Sequence, residues 1–341
     1  MSIPTRFTDA GAVDIWDAQF RWRIGNELRD HTVDATWVRV ASAAAATEVT
    51  QAAHWARCYV DAFSDWRLLP DERLLESAGT GVPIGRFGRP RALLNAGVFV
   101  LNGRTAKARF DHDRFAATAG LAVRLLDDAL LSVRRPIRTT PELRIGMLGV
   151  ADAMAAMNLH YDSTQAREQV AAMAGTLAMG CLRGSVELAR ERGSNIDSPS
   201  PGKIATWERR GMPQSLIDDA KRWGVRHRRL TAIDLQPNLA LLANNASDAL
   251  DPVMERKPLR DSTTPIPAGS IQSISDDVLL PAQIALRGAA QPWIDAPINY
   301  PLTYARHPLD SRMRDTCSGL AQAGGLPHPT FRHAHAPELF P

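Results

Sequence analysis

Apolar positions recur along this chain with two different periods. From Val33 to Ser64 they fall three and four residues apart. Trp37, Val40, Ala41 and Ala44 come first, and Trp55, Tyr59 and Phe63 follow after an alanine-rich stretch. That spacing predicts helix across 33–64, with Thr32 or Asp34 able to cap its start. Asp111 opens a strongly amphipathic helix running through Leu131, with Phe115, Leu121, Leu125 and Ala129 on one side. Val150 to Met157 reads as a short helix. Ser163 caps a long one over about 164–192 that ends at Gly193. Lys203 to Trp223 is helical with a break at Gly211-Met212-Pro213, and Asp276 to Trp293 and about 310–322 are helical too. Strands are fewer and shorter. Leu93 to Leu101 is a continuous apolar run expected as a buried strand, Arg144 to Gly149 a compact strand or turn, and Leu230 to Leu235 another strand.

Gly79, Gly81, Pro83, Gly85, Gly88 and Pro90 make 79–91 a loop. Pro136 and Pro141 bracket a linker, 194–202 is Ser/Pro/Gly-rich, 256–270 is polar and proline-rich, and the last residues read as a tail. Short strands alternating with helices predict a helix-rich α/β fold, with too few strands for a large barrel of their own.

Composition narrows the function classes. The 341 residues carry 40 Lys and Arg against 37 Asp and Glu, a net charge of +3. So near a balance gives no support for a specific nucleic-acid binder. Cys58, Cys181 and Cys317 are far apart and form no CxxC, so no zinc site or disulfide framework follows, and each reads as a small buried apolar side chain. No apolar run reaches the ~18 residues of a membrane span. The first residues include Asp9, Asp14 and Asp17 with no apolar h-region, so a cytoplasmic protein is expected.

Several segments, in order, resemble one family. Ile15-Trp16-Asp17 through Arg21-Trp22-Arg23, then Asp34-Ala35-Thr36-Trp37-Val38-Arg39-Val40-Ala41, resemble a "W-x-x-x-[YF]-R" segment followed by "D-T-W-R-R-V-A". Leu68-Leu69-Pro70 to Ala78-Gly79-Thr80 resembles "F-L-P-x-G-R-I-L-x-x-A-G-T". The most specific piece is Arg144-Ile145-Gly146-Met147-Leu148-Gly149-Val150-Ala151-Asp152, which is similar to "R-x-I-G-x-G-x-M-G-L-A-D". It continues through Tyr161-Asp162-Ser163 and Ser185-Val186-Glu187-Leu188-Ala189-Arg190-Glu191-Arg192-Gly193, and Ile298-Asn299-Tyr300-Pro301 resembles the family's "T-I-N-x-P". This ordered set resembles the catalytic subunit of vitamin B12-dependent ribonucleotide reductases, over about two-thirds of the chain.

The resemblance implies a truncated derivative of that family's ten-stranded α/β barrel, shortened internally. It divides the chain into an N-terminal helical region with a first strand, 1–103, and a barrel remnant, 104–341, in one continuous fold. It also implies adenosylcobalamin as radical source, a thiyl-forming Cys beside an Asn and a Glu, a reducing Cys pair, and a glycine-containing turn cradling phosphate. The parts needed for the reaction are missing at their positions. Residues 81–110, where the radical loop belongs, contain neither Cys nor Glu. Ala96 or Gly97 stands where a dithiol Cys belongs. After Leu230-Thr231-Ala232-Ile233 the chain reads Asp234-Leu235-Gln236-Pro237-Asn238, without the glycine and with an added negative charge.

The residues left to bind a ligand are Asn95, Asp234, Pro237, Asn238, Asn244, Asn245 and Asp251. Each has a plainer reading. Asn95 satisfies nearby backbone, and Asn244-Asn245 and Asp251-Pro252 form turns. His328, His333 and His335 read as a solvated tail rather than a metal site, and Arg222 with Arg226-His227-Arg228-Arg229 as a solvated helix end. No metal site and no Ser-His-Asp spacing stands out. Three functions remain open: a pseudoenzyme binding a nucleotide, small molecule or protein partner through the old cleft, a remodelled enzyme, and one part of a split reductase. A homodimer or a second reductase-related chain are the partners this implies.

Overall fold

The computed structural model describes residues 6–48, 50–84, 88–132, 140–252, 276–304 and 309–333. Residues 256–270, Gly85, Pro136 and His335 lie outside these. The architecture is helix-rich α/β. Its centre is one open sheet in the order β1 (Leu68–Pro70), β2 (Arg91–Asn95), β3 (Glu142–Leu148), β4 (Arg229–Thr231). β1 runs antiparallel to β2, with Leu68 opposite Leu94. β2, β3 and β4 are mutually parallel, with Asn95 opposite Leu148 and Ile145 opposite Thr231. Parallel neighbours need crossovers. α5 (His112–Ser132) supplies the first, and α6 (Val150–Ala156), α7 (Thr164–Arg192), α8 (Pro201–Arg209) and α9 (Gln214–Trp223) lie within the second.

α5 and α7 pack against the sheet and against each other. Their crossing is set by glycine. A Cβ on Gly180 would lie 2.4 Å from the Ala116 carbonyl oxygen, and one on Gly184 would lie 2.9 Å from the Gly120 Cα. Ser163 caps α7 by accepting from the Ala166 N–H at 3.1 Å.

Between α1 (Ala10–Ile15) and α4 (Glu72–Ser77), the helical stretch at 33–64 is two helices, α2 (Val33–Ala45) and α3 (Ala52–Ser64). The hairpin brings the Trp37 and Phe63 rings to 5.6 Å. Its turn also delivers Glu48 to Arg124, 2.7 Å away, and to Arg192. A straight helix would forfeit both contacts. Thr32, not Asp34, caps α2. The expected strand at 93–101 ends at Asn95, whose Oδ1 accepts from the Gly97 N–H at 3.2 Å and starts a 3-10 turn over Ala96–Phe99. The strand expected to Leu235 stops at Thr231, because the chain then turns across the sheet. The tail is structured as far as His333. Phe331–His333 pair in parallel with Leu302–Tyr304, beside α11 (Asp276–Ala290) and α12 (Ser311–Ala323), and His333 meets the Tyr304 ring at 5.3 Å.

Candidate functional site

In parallel α/β sheets, ligand sites form outside the carboxyl ends of the strands. Here that edge is formed by Asn95, Leu148 and Thr231, and the segment 232–251 folds over it. The Ala232 carbonyl oxygen approaches Gly146 so closely that a Cβ there would be 2.5 Å away. The Ser247 carbonyl accepts from the Gly149 N–H at 2.6 Å, while the Ser247 N–H donates to Asp152 Oδ2 at 2.7 Å. Gly149 holds φ +69°, and a Cβ on it would fall 2.2 Å from Asn95 Oδ1. Asn95 is thereby enclosed, with 5% of its surface exposed.

The other sequence-derived candidates are engaged one by one. Asp234 is not left as a bare negative charge: Arg144 grips it with Nε at 2.9 Å and Nη2 at 2.6 Å. Pro237 sits in the first turn of α10 (Pro237–Leu242), where its missing N–H costs nothing. Asn238 Nδ2 reaches Glu72 Oε2 at 3.4 Å. Asn244 and Asn245 both adopt left-handed backbone, φ 60° and 57°. Asn244 Oδ1 accepts from the Thr8 N–H at 2.6 Å, tying this turn to the N-terminal segment. Asp251 is buried against Arg287 Nη2 at 2.7 Å and the Tyr300 hydroxyl at 3.2 Å. Among the described residues no hydrogen bond or ion pair joins any two of the seven. The hydrogen bonds they make go to other residues.

Nor do the thiols gather there. Cys181 and Cys317 are wholly buried in α7 and α12. Burial pushes the Cys181 thiol well up, and that of Cys317 to about 11. Cys58 is half-buried on α3, its thiol raised by burial and then by Asp61. It lines a surface cavity of about 500 Å³ between α3, α5 and α7, with Asp61, Glu187 and four arginines also at its walls. A thiol thus does stand beside a carboxylate in a sugar-sized space. It stands there alone, since no second cysteine lines the cavity to complete a reducing pair. The residues present therefore do not fit the radical machinery that adenosylcobalamin serves.

Two arrangements escaped the sequence reading. Asp248 is pushed up to about 7 by burial, reinforced by Asp251 and opposed by the Gln236 N–H that it accepts at 2.9 Å. Ser185, His227 and Asp127 form a connected triad. Ser185 Oγ lies 3.1 Å from His227 Nδ1, and His227 Nε2 lies 3.2 Å from Asp127 Oδ1. Its Ser–His–Asp order resembles a serine-hydrolase relay, but the two ring nitrogens are exchanged and the surroundings differ. None of the three is more than 2% exposed, and Ser185 Oγ also accepts N–H bonds from Arg226 and His227 at 3.2 Å each. The hydroxyl is committed to holding the chain, and no substrate reaches it. Arg226 faces Asp127 at 2.7 Å as well. Half of the basic run is thus interior, because Asp127 on α5 needs cations that α7 and the β4 approach can supply.

The ribonucleotide reductase barrel-domain family model matches residues 92–277, just over half of the chain. The chain belongs to the ribonucleotide reductase family. Over 112 residues it is 32% identical to the vitamin B12-dependent ribonucleoside-diphosphate reductase of Mycobacterium tuberculosis strain CDC 1551 / Oshkosh, and equally to that of strain ATCC 25618 / H37Rv. The match covers 31% of this chain and 16% of each relative, so the chain spans only a small part of the reductases it resembles. The matched family region contains β2 except Arg91 and the whole of α5, β3, α7 and β4, which are the parallel strands of the sheet and their crossovers. No helix among the described residues is long and apolar enough to cross a membrane.

Proposed function

We propose that this reductase-family chain has no ribonucleotide reductase turnover of its own and acts by binding a ligand or partner. The observation that carries this reading is the position of sulfur. Abstracting hydrogen from ribose needs a thiyl group poised over the sugar, and reduction needs a further pair of thiols. At the strand ends the chain offers Asn95, Ala96 and Gly97, packed under Ser247 and Gly149. The flattened, internally satisfied cleft favours a binding or scaffold role over new chemistry in the same place. Remodelled chemistry is the second reading. Asp248 favours it, since carboxyl groups shifted toward neutrality mark functional sites.

The test is an anaerobic incubation with adenosylcobalamin, a dithiol and each of the four ribonucleotides, with binding of the same molecules followed in parallel. Absence of deoxynucleotide is expected. Steady formation of deoxynucleotide by the isolated chain overturns the reading. Activity that appears only when a second reductase-related chain is added points to a split enzyme instead.

A further inference from the structure

The segment that closes the strand ends is held at two places. Ser247 is the first, buried at the centre of the cover. Its carbonyl accepts from the Gly149 N–H at 2.6 Å, its N–H donates to Asp152 Oδ2 at 2.7 Å, and its Oγ accepts from the Asp152 N–H at 3.4 Å. Left-handed backbone brackets it. Asn244 and Asn245 lie on one side at φ 60° and 57°, and Ala249 on the other at φ 50°. Asparagine tolerates that conformation, whereas alanine keeps it only where surrounding contacts impose it. The dihedrals on either side of Ser247 are therefore the places where the segment can turn.

The second hold comes from the far end of the chain. Asn244 Oδ1 accepts from the Thr8 N–H at 2.6 Å, and Asn244 Nδ2 donates to the Arg6 carbonyl at 3.3 Å. Trp66 Nε1 donates to that same carbonyl at 3.3 Å, and Trp66 is itself left-handed at φ 57°. Phe7 packs with its ring centroid 5.8 Å from that of Trp16 and 5.6 Å from that of Trp66. Arg6 Nη1 ties this strap to the end of α3 through the Ser64 carbonyl at 3.0 Å.

We infer that residues 245–249 form a flap over the strand ends, and that the strap at 6–8 latches it shut through Asn244. With the latch cut, the left-handed residues are free to relax, which offsets part of the loss of the Ser247 bonds. The open flap uncovers the Gly149 N–H and the Asn95 side chain, both enclosed when it is shut. The inference rests on the reading that the chain binds through its strand ends, and adds how that place is reached. The flap's movement is measured without any ligand, so its failure and the failure of the binding reading are separate results.

Hydrogen exchange on the full native chain, resolved to single amides, is the test. The Gly149 and Ser247 N–H groups make the flap's own bonds. They are expected to exchange together, and faster than the amides of Leu126 and Leu177, which lie fully buried in α5 and α7 and report global unfolding. Asn244→Gly keeps the left-handed backbone and removes both side-chain bonds to the strap. Phe7→Ala loosens the strap without touching the flap. Each is expected to speed exchange at Gly149 and Ser247 roughly tenfold, as loss of one or two hydrogen bonds does. Val123→Ala, a loss within the α5–α7 packing, should speed Leu126 and Leu177 and leave the flap amides unchanged. Three results overturn the inference: flap amides that exchange only with Leu126 and Leu177, flap rates unchanged in N244G or in F7A, and flap rates that rise in V123A.

Discussion

His227 places its Nε2 3.2 Å from Oδ1 of Asp127, with both side chains buried between α5 and the approach to β4. Burial lowers the pKa of His227, against the opposing pull of Asp127. Burial alone would raise Asp127, but hydrogen bonds from His227 and Arg226 and the charge of Arg226 outweigh it and hold the carboxyl far below its usual range. The imidazole is then neutral, donating from Nε2 to the carboxylate and accepting the Ser185 hydroxyl at Nδ1. A histidine whose folded pKa is depressed binds its proton more readily when unfolded, so stability falls as pH drops through the ordinary histidine range near 6.5. The part of the denaturant midpoint that His227 contributes should therefore decline from pH 8 through 6 to 5. His227→Gln, which keeps a donor and an acceptor, should flatten that decline. An unchanged slope in H227Q would mean that another group carries the acid sensitivity.

Asp248 gives the opposite sign. Its carboxyl, near 3.8 when free, is pushed up to about 7 by burial. Between those values the native state holds a proton that the unfolded chain has released, so stability falls as pH rises from about 4 to about 7. Asp248→Asn retains an acceptor for the Gln236 N–H and removes the ionisation. It should match the parent near pH 4 and exceed it at pH 8 by about 2–4 kcal/mol. Equal stability at pH 8 would show that the carboxylate is solvated there. The profile is separable from that of His227, because one group weakens the fold in acid and the other toward neutral pH.

The Arg287–Asp251 pair is a test of a buried charge. Asp251 is held by Arg287 Nη2 at 2.7 Å, and the guanidinium lies 3.7 Å from the Tyr300 ring centroid and donates from Nη1 to the Tyr300 carbonyl at 2.5 Å. Removing one partner strands the other without water. Asp251→Ala should cost about 3–5 kcal/mol in urea denaturation. Replacing both, with Asp251→Leu and Arg287→Met, should recover most of that loss. If D251A alone is nearly silent, water reaches Arg287 and the pair is not sealed.

How much of this was legible from residues alone follows from the range of each interaction. Local rules found α5 and α7, because Phe115, Leu125 and the Ser163 cap act within a few residues of one another. They missed the break between α2 and α3, since the reason for it is Glu48 meeting Arg124 and Arg192, 76 and 144 positions away. They missed the Ser185–His227–Asp127 relay for the same reason. One hint was present: Asp127-Asp128 interrupts an apolar face of α5, and two acids in such a place require buried cations. The seven candidate ligand residues rest on position in a resemblance, which says where a family binds and not whether this chain still leaves room. Only the fold of 232–251 over Gly146 and Gly149 reveals what occupies that place.

The α5–α7 crossing yields the sharpest packing prediction. A Cβ on Gly180 would lie 2.4 Å from the carbonyl oxygen of Ala116 and 2.9 Å from its Cα. Both are backbone atoms of a helix that cannot swing aside as a side chain can, so the helices must separate along their contact. Separation opens gaps beside Ala119, Val123 and Leu177, all of which are fully buried. Gly180→Ala should therefore lose about 1–3 kcal/mol, the usual cost of forcing extra atoms into a packed core. Helix propensity works against this loss, since alanine is favoured over glycine inside a helix by about 1 kcal/mol. Gly202 in α8 isolates that second effect: it is exposed and a Cβ there meets nothing within 4 Å. Gly202→Ala should be neutral or slightly stabilising in the same thermal melt. A G180A variant as stable as G202A would mean that α5 and α7 are not in backbone contact, and the floor of the cavity above them would have to be redrawn.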